Sequence, residues 1–142
     1  MEVKTKYHGT VSFQERDIIK FNKGLPAFES LKNFILLSVD GSDIFKILHS
    51  IEDEEIGLIV VSPFEFIKEY EVELSDEIID KLSIKKEEDV LILNTVTLNS
   101  DVSKITANLR APIIINIKES LGEQIILEDE NFSIKYPIIR EW

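Results

Sequence analysis

The chain has 142 residues, no cysteine, and 27 acidic against 16 basic residues, which gives a formal net charge of −11 at pH 7. This length fits one domain, predicted to span residues 1–142, and the lack of cysteine excludes disulfides, thiolate nucleophiles and cysteine-based metal sites. The negative charge predicts that nucleic acid is repelled and that basic partners are favoured, although such charge also serves solubility alone.

The N-terminal residues show no sign of a secretory leader. Lys4 and Lys6 follow Met1 closely, but no apolar segment comes after them. No apolar run approaches the roughly 18 residues that cross a bilayer. We therefore expect a cytoplasmic protein that neither inserts into a membrane nor enters the general secretion route.

Short apolar or alternating runs, bounded by glycine, proline, asparagine and aspartate, recur along the chain and are typical of strands. Five of them, residues 34–39, 56–61, 90–93, 113–117 and 124–127, are apolar on both faces, which indicates burial on both sides or a curled sheet. Residues 70–74 instead alternate strictly between exposed-type and buried-type side chains, as in a strand with one wet face. In chain order, the predicted strands are residues 3–7, 18–21, 34–39, 45–51, 56–61, 70–74, 90–93, 113–117, 124–127 and 132–136.

One segment has the features of a helix, residues 76–82. Ser75 can cap the first turn, acidic residues follow it, and Ile78, Ile79 and Leu82 form one apolar face. A second, weaker helical turn is expected at Pro63.

Strands at short spacing with almost no crossover helices exclude a parallel βαβ sheet. The predicted fold is mainly β: a compact antiparallel β-barrel or rolled sandwich with one or two short helices.

Acidic clusters fall between the predicted strands and are expected at loop tips. They cover residues 52–55, 87–89 and 128–130. Residues 119–123 join two apolar strands and predict a hairpin loop, in which Gly122 is free to adopt a positive φ.

The sequence offers little catalytic chemistry. His8 and His49 lie far apart and in no metal-ligand spacing, so structural roles are favoured for both. The five glycines form no phosphate loop, dinucleotide fingerprint or nucleophile elbow. We predict a protein without enzymatic activity, cofactor or metal.

Several stretches together resemble the FliW family of flagellar assembly factors, in the family's order and over nearly the whole chain. The most specific is Thr-Ala-Asn-Leu-Arg-Ala-Pro, because polar, small and proline residues leading into an apolar strand are not a generic core pattern. The matching stretches are residues 21–29, 48–52, 89–97, 106–116 and 122–127.

The first of these stretches predicts a turn. Gly24, Leu25 and Pro26 are expected to fold Leu25 and Phe28 back onto the barrel. Ala27 is a departure, since family members often carry glycine there. The turn is therefore expected to be less permissive in this chain.

The resemblance implies a partner switch. The family binds cytoplasmic flagellin and also the carbon storage regulator CsrA, an RNA-binding translational repressor. Flagellin that accumulates occupies the assembly factor and leaves CsrA free to silence flagellin mRNA. Export of flagellin returns the factor to CsrA and relieves repression.

Two groups of residues are the candidates for partner contact. The acidic group follows the 48–51 stretch at a strand end, where four adjacent acids can steer a basic partner. An ordinary solvated turn is the alternative interpretation of this group. The second group belongs to the Thr-Ala-Asn-Leu-Arg-Ala-Pro stretch, where support of the loop itself is favoured slightly over direct partner contact. The candidates are Glu52, Asp53, Glu54, Glu55, Asn108, Arg110 and Pro112.

Two alternatives stay open from the sequence. A barrel of this size can host a small molecule or a flavin and act as an enzyme. An acidic chaperone for exported subunits, without a regulatory role, is the other.

Overall fold

The computed structural model describes residues 1–6, 8–39, 41, 44–67, 70–129 and 131–138. Tyr7, at the end of the first predicted strand, and Glu130, in the third acidic cluster, lie outside these ranges. Within the described residues the secondary structure consists of β1 (Glu2–Thr5), β2 (Gly9–Ser12), β3 (Ile19–Lys20), β4 (Asn33–Ser38), β5 (Phe45–Ser50), β6 (Gly57–Val61), α1 (Asp76–Lys81), β7 (Val90–Thr97), β8 (Thr106–Ala107), β9 (Ile113–Asn116), β10 (Leu121–Gln124) and β11 (Tyr136–Pro137). Short 3₁₀ turns occupy Glu15–Asp17, Pro63–Glu65, Glu87–Asp89 and Val102–Lys104.

Strand pairing closes the main sheet on itself. The neighbours run in the order β7, β6, β5, β4, β3, β10 and β9, and β9 pairs back with β7. The pairs are antiparallel except β10 with β3, which is a parallel contact between Leu121 and Lys20. The outer end of β7 also pairs with β8, which pairs with β11. The prediction of a mainly β, rolled antiparallel fold with a short helix is confirmed.

The interior of this ring is filled by apolar side chains. Phe21 and Phe34 meet edge to face with ring centroids 5.4 Å apart, an arrangement that aromatic pairs favour. Around them pack other buried residues from five of the ring's strands and from the Leu25 turn: Ile19, Leu25, Leu48, Val60, Leu93, Ile113 and Ile115. The two-sided apolar runs of the sequence are explained by this core and by a second layer outside the ring.

Helix α1 forms that second layer over β9. Ser75 Oγ accepts a hydrogen bond from the backbone N–H of Ile78 (3.2 Å), so the predicted cap is confirmed. Ile78 and Leu82 pack against the fully buried Ile114 of β9. A salt bridge of 2.9 Å between Glu77 and Lys81 lies on the exposed side.

A two-stranded hairpin, β1 with β2, stands apart from the main sheet. The buried imidazole of His49 on β5 anchors this hairpin, because the imidazole Nε2 accepts a hydrogen bond from the backbone N–H of Lys6 (3.1 Å). The Nδ1 of the same ring donates to the carbonyl of Ser50 (2.7 Å). Both bonds require one neutral tautomer. The structural interpretation of His49 is thereby supported.

Four local predictions were wrong. Residues 125–127 and 132–135 were expected in strands, but β10 ends at Gln124 and β11 begins at Tyr136. Residues 70–74 alternate in burial as expected but join no sheet. Gly122 lies inside β10 and not in a turn with positive φ. A Cβ at Gly122 would lie 2.6 Å from the ring of Phe21, so the glycine is required by core packing. The hairpin loop covers residues 117–120 instead, and Ser120 adopts a φ of 55° there.

Across the described ranges, no helix is both long enough and apolar enough to cross a bilayer.

Candidate functional site

The acidic candidates lie in the turn between β5 and β6. Ser50 Oγ accepts hydrogen bonds from the backbone N–H groups of Glu52 and Asp53, each at 3.0 Å. The N–H of Ser50 donates to the carbonyl of Ile56 (2.9 Å) across the neck of the turn. These bonds hold the turn closed, as a serine commonly does where the backbone leaves a ladder.

Two of the four acids are used by the fold. Glu52 Oε1 accepts from the backbone N–H groups of Lys32 and Asn33, both at 2.7 Å. Asp53 Oδ1 accepts from the backbone N–H of Glu55 (2.9 Å). Because a carboxylate bonded to backbone N–H groups forms strong charge-assisted hydrogen bonds, Glu52 fixes the start of β4 against the turn. The negative charge of Glu52 is therefore partly used in hydrogen bonds within the protein.

Glu54 and Glu55 carry the outward part of this surface. Both are exposed, and they line a shallow depression of about 380 Å³ together with Lys4 and Lys6 at the β1–β2 hairpin. The turn is consequently not a uniformly negative tip, because lysines of the hairpin stand beside it. Its field at long range is weaker than four adjacent acids suggest.

The second candidate group lies in the loop between β8 and β9. Asn108 Oδ1 accepts from the backbone N–H groups of Arg110 (3.0 Å) and Ala111 (3.2 Å). Its own N–H donates to the carbonyl of Thr95 on β7 (3.0 Å). The asparagine thus caps its own loop and anchors it to the ring, which supports the interpretation of this stretch as loop support.

A polar network behind this loop holds it from the other side. The Asn94 amide Nδ2 donates to the carbonyl of Asn108 (2.8 Å). The hydroxyl of Tyr70 donates to the carbonyl of Leu109, and Asn94 Nδ2 also approaches the Tyr70 oxygen (3.4 Å). Burial raises the pKa of Tyr70 above its ordinary value, although the hydrogen bond from Asn94 opposes that rise. The phenol therefore stays a donor at neutral pH.

Arg110 and Pro112 join the loop to the segment that follows β10. Arg110 Nε donates to the carbonyl of Phe132 (3.1 Å), and the Arg110 carbonyl accepts from the N–H of Leu127 (2.7 Å). Pro112 is buried, and its carbonyl accepts from the N–H of Ile125 (3.0 Å). Pro112 is positioned to support the loop and is not available on the surface.

The two candidate groups thus stand on different loops and in different roles. Glu54 and Glu55 are exposed, whereas Asn108 is occupied with internal hydrogen bonds. The Tyr70 and Asn94 network was not anticipated. A signal for it exists, because Asn94 interrupts an apolar run, and a polar residue at such a position is usually bonded inside the protein.

Among the residues that the structure describes, no group of three or more histidine, aspartate or glutamate side chains is placed to hold a metal ion. The ring interior, where barrels of this kind hold small ligands, is occupied by the side chains around Phe21 and Phe34.

Comparisons with known proteins agree along the chain. The family model described as FliW protein matches residues 2–138. Proteins named flagellar assembly factor FliW from Clostridium tetani (strain Massachusetts / E88) and Clostridium botulinum (strain Okra / Type B1) are 57% and 53% identical over 141 residues. These matches cover 99% of this chain and 97% and 99% of those proteins, respectively. A crystal structure of the flagellar assembly factor FliW superposes with a TM-score of 0.93, 35% identity and 99% coverage of both chains.

Proposed function

Because the chain belongs to the FliW family of flagellar assembly factors, which is not a family of enzymes, we propose that it binds cytoplasmic flagellin and, in exchange, the translational repressor CsrA. The observation that carries the proposal is the family match over residues 2–138, joined to a net charge of −11. An acidic surface suits a basic, RNA-binding partner, because opposite charges favour the encounter of the two proteins.

The exchange works by mass action. Flagellin and CsrA each bind the factor, and binding of one lowers the amount of factor free for the other. High cytoplasmic flagellin occupies the factor and leaves CsrA on flagellin mRNA. Export of flagellin releases the factor, which then removes CsrA and restores translation.

The proposal places the protein in the cytoplasm, where both partners are found, and takes residues 1–142 as one binding domain. Its contact residues are drawn from the two loops described above. Glu54 and Glu55 face solvent and are assigned to steering of the basic partner. Arg110 and Asn108 are assigned to shaping the neighbouring surface, since their polar atoms are bonded within the protein.

The decisive experiment captures native partners. The tagged protein is used for pull-down from a lysate of its own cells, and mass spectrometry identifies what is retained. The expected result is flagellin and CsrA. Purified flagellin is then added to the CsrA complex, and displacement of CsrA in proportion to added flagellin is expected.

An acidic export chaperone without a regulatory role gives a different result in the same experiment. Flagellin is then retained, and purified CsrA fails to bind. Retention of neither protein refutes the proposal. A flavin-binding enzyme is disfavoured by the packed interior around Phe21 and Phe34, and a stoichiometric chromophore on the purified protein would restore it.

A further inference from the structure

Two segments outside the sheet line an open groove of about 610 Å³. One wall is the residue 71–75 segment that precedes α1, and the other is the continuation of β10 through residues 125–129. Neither wall belongs to a strand of the described structure. The groove is therefore bordered by two stretches of backbone that belong to no β-ladder.

The wall after β10 is bonded on one side alone. The N–H groups of Ile125 and Leu127 donate to the carbonyls of Pro112 and Arg110 (3.0 and 2.7 Å). In an extended chain the next residue directs its backbone groups to the opposite side. That residue is Ile126, whose N–H and carbonyl have no hydrogen-bond partner within the described residues and whose side chain is 74% exposed.

The opposite wall also presents unpaired backbone groups. Between Glu71 and Leu74, described backbone N–H and carbonyl groups form no hydrogen bonds with the rest of the described chain. Side chains there alternate in burial, with Val72 and Leu74 half-buried and Glu71 and Glu73 exposed. An unpaired, exposed and alternating edge is the template on which another chain adds a strand.

The side chains of the groove combine an apolar floor with an acidic rim. Ile78, Ile125 and Phe132 are among the apolar residues that line it. The ionisable side chains along its walls are all acidic: Glu71, Glu73, Glu128 and Asp129. An occupant must therefore bring apolar side chains on one face and positive charge on the other.

We propose that this groove binds an extended, basic segment of another protein by strand addition. The segment lies along Ile126, pairs with its free backbone groups, directs alternate apolar side chains to the floor, and directs alternate lysines or arginines to the acidic rim. A second copy of this chain is a poor occupant, because two such rims would bring like charges together. The inference does not depend on which natural partners the protein has.

The test uses a designed probe. A ten-residue peptide of alternating lysine and valine, with blocked ends, is titrated into the protein and followed by amide NMR and hydrogen exchange. Binding is expected, with slowed exchange at the amide of Ile126. The same peptide made of glutamate and valine, and a lysine–valine peptide with methylated backbone nitrogens, are both expected to bind at least about tenfold more weakly.

Protein variants separate backbone pairing from simple contact. Ile126→Pro removes the free N–H, and Ile126→Ala removes the side chain but keeps that donor. The proline variant is expected to bind the probe about fivefold to tenfold more weakly than the alanine variant. If the two variants bind the probe with equal affinity, the proposal is overturned. The peptide comparison needs no variant and holds even if the proline variant folds poorly. If the wild-type protein binds the methylated and unmethylated peptides with equal affinity, the proposal is overturned as well.

A charge-matched pair tests the rim. Glu71→Gln, Glu73→Gln and Glu128→Gln together are expected to weaken probe binding about tenfold at low salt. Glu2→Gln, Glu15→Gln and Glu119→Gln remove the same charge elsewhere and are expected to change it less than twofold. Absence of any probe binding, a helical bound peptide, or equal effects of the two triple variants would each contradict the assignment. Failure of this test leaves the flagellin and CsrA binding measurements unaffected.

Discussion

The imidazole of His49 occupies the space that a side chain at Gly57 would fill. The two residues face each other on β5 and β6, and a Cβ built on Gly57 would lie 2.7 Å from His49 Cδ2. The same ring holds the β1–β2 hairpin through its bond from the Lys6 N–H. One glycine therefore determines where the hairpin is anchored.

Gly57→Ala is expected to lower the free energy of unfolding by about 1–3 kcal/mol, because the new methyl group must displace a buried ring. The hairpin should also become easier to cleave in limited proteolysis. Chemical unfolding of the single variants Gly57→Ala and His49→Ala and of their combination measures the coupling between the two residues. The double variant should lose less than the two singles together; strict additivity would contradict the contact.

We expect a substitution in the Leu25 turn to stabilise the protein. The N–H of Phe28 donates to the carbonyl of Leu25 (2.7 Å), and Ala27 has a φ of 72°, which together with Pro26 describes a type II turn. Ala27→Gly removes the strain of a left-handed alanine, so we expect a gain of about 0.5–1 kcal/mol. Thermal melting measures it. Ala111→Gly, at a position without positive φ, is the control and should lose stability.

The features of this structure that could be predicted from the sequence are those determined by residues close together in the chain. Features that depend on residues far apart in the chain could not be predicted. Most of the runs that are apolar on both faces form strands. They could be predicted because consecutive apolar side chains are by themselves a signal of a buried strand. Residues 70–74 also show the predicted alternation of burial, yet a strand needs a neighbouring backbone, and none of the described chain supplies one. The reason for Gly122 is the ring of Phe21, about a hundred positions earlier, which no local pattern contains.

The same distinction applies to the candidate site. Glu52 and Asp53 have the sequence pattern of a solvated turn, but their carboxylates bind backbone N–H groups. The N–H partners of Glu52 belong to Lys32 and Asn33, some twenty positions away. Charge is readable from the sequence, whereas its use as a hydrogen-bond acceptor depends on the folded backbone. Asn108 was more predictable, because its partners are two and three residues ahead.

Ile114 tests the layer between the ring and α1. Its side chain is fully buried against Ile78 and Leu82. Ile114→Asp is expected to cost several kcal/mol, because an unpaired carboxylate would replace an apolar contact. Differential scanning calorimetry should show loss of the cooperative transition or a large fall in Tm. A melt near the wild-type temperature would contradict this placement, and Ile126→Asp, at an exposed position, is the control.

Tyr70 links stability to alkaline pH. Since burial raises the pKa of Tyr70 in the folded protein above its ordinary value, the folded state keeps the phenolic proton to a higher pH than the unfolded state. The associated stability is complete below about pH 10 and declines as pH rises through the folded pKa. Tyr70→Phe loses the bond to the Leu109 carbonyl and should be about 1–2 kcal/mol less stable at pH 7. Its stability deficit relative to wild type should shrink above pH 10, as measured by urea unfolding at several pH values.

The four acids of the turn between β5 and β6 fall into two pairs for which we expect different effects. Glu52 and Asp53 hold backbone N–H groups, whereas Glu54 and Glu55 face solvent beside Lys4. We expect Glu54→Gln with Glu55→Gln to slow association with CsrA and to leave the melting temperature nearly unchanged. Glu52→Gln with Asp53→Asn should mainly lower stability, by about 1–3 kcal/mol, since it weakens charge-assisted bonds to the backbone.

The two double variants remove the same charge, so the salt dependence of the association rate distinguishes long-range steering from direct contact. At physiological ionic strength the Debye length is about 8 Å, so rim charges change the association rate more than the dissociation rate. Stopped-flow measurements with CsrA at low and high salt should show a slower association for the Glu54 and Glu55 pair at low salt, and convergence with wild type at high salt. If the rate and its salt dependence are the same as in wild type, this turn does not steer the partner. The search then moves to the loop of Asn108 and Arg110, whose outer surface adjoins the residues 125–127 segment.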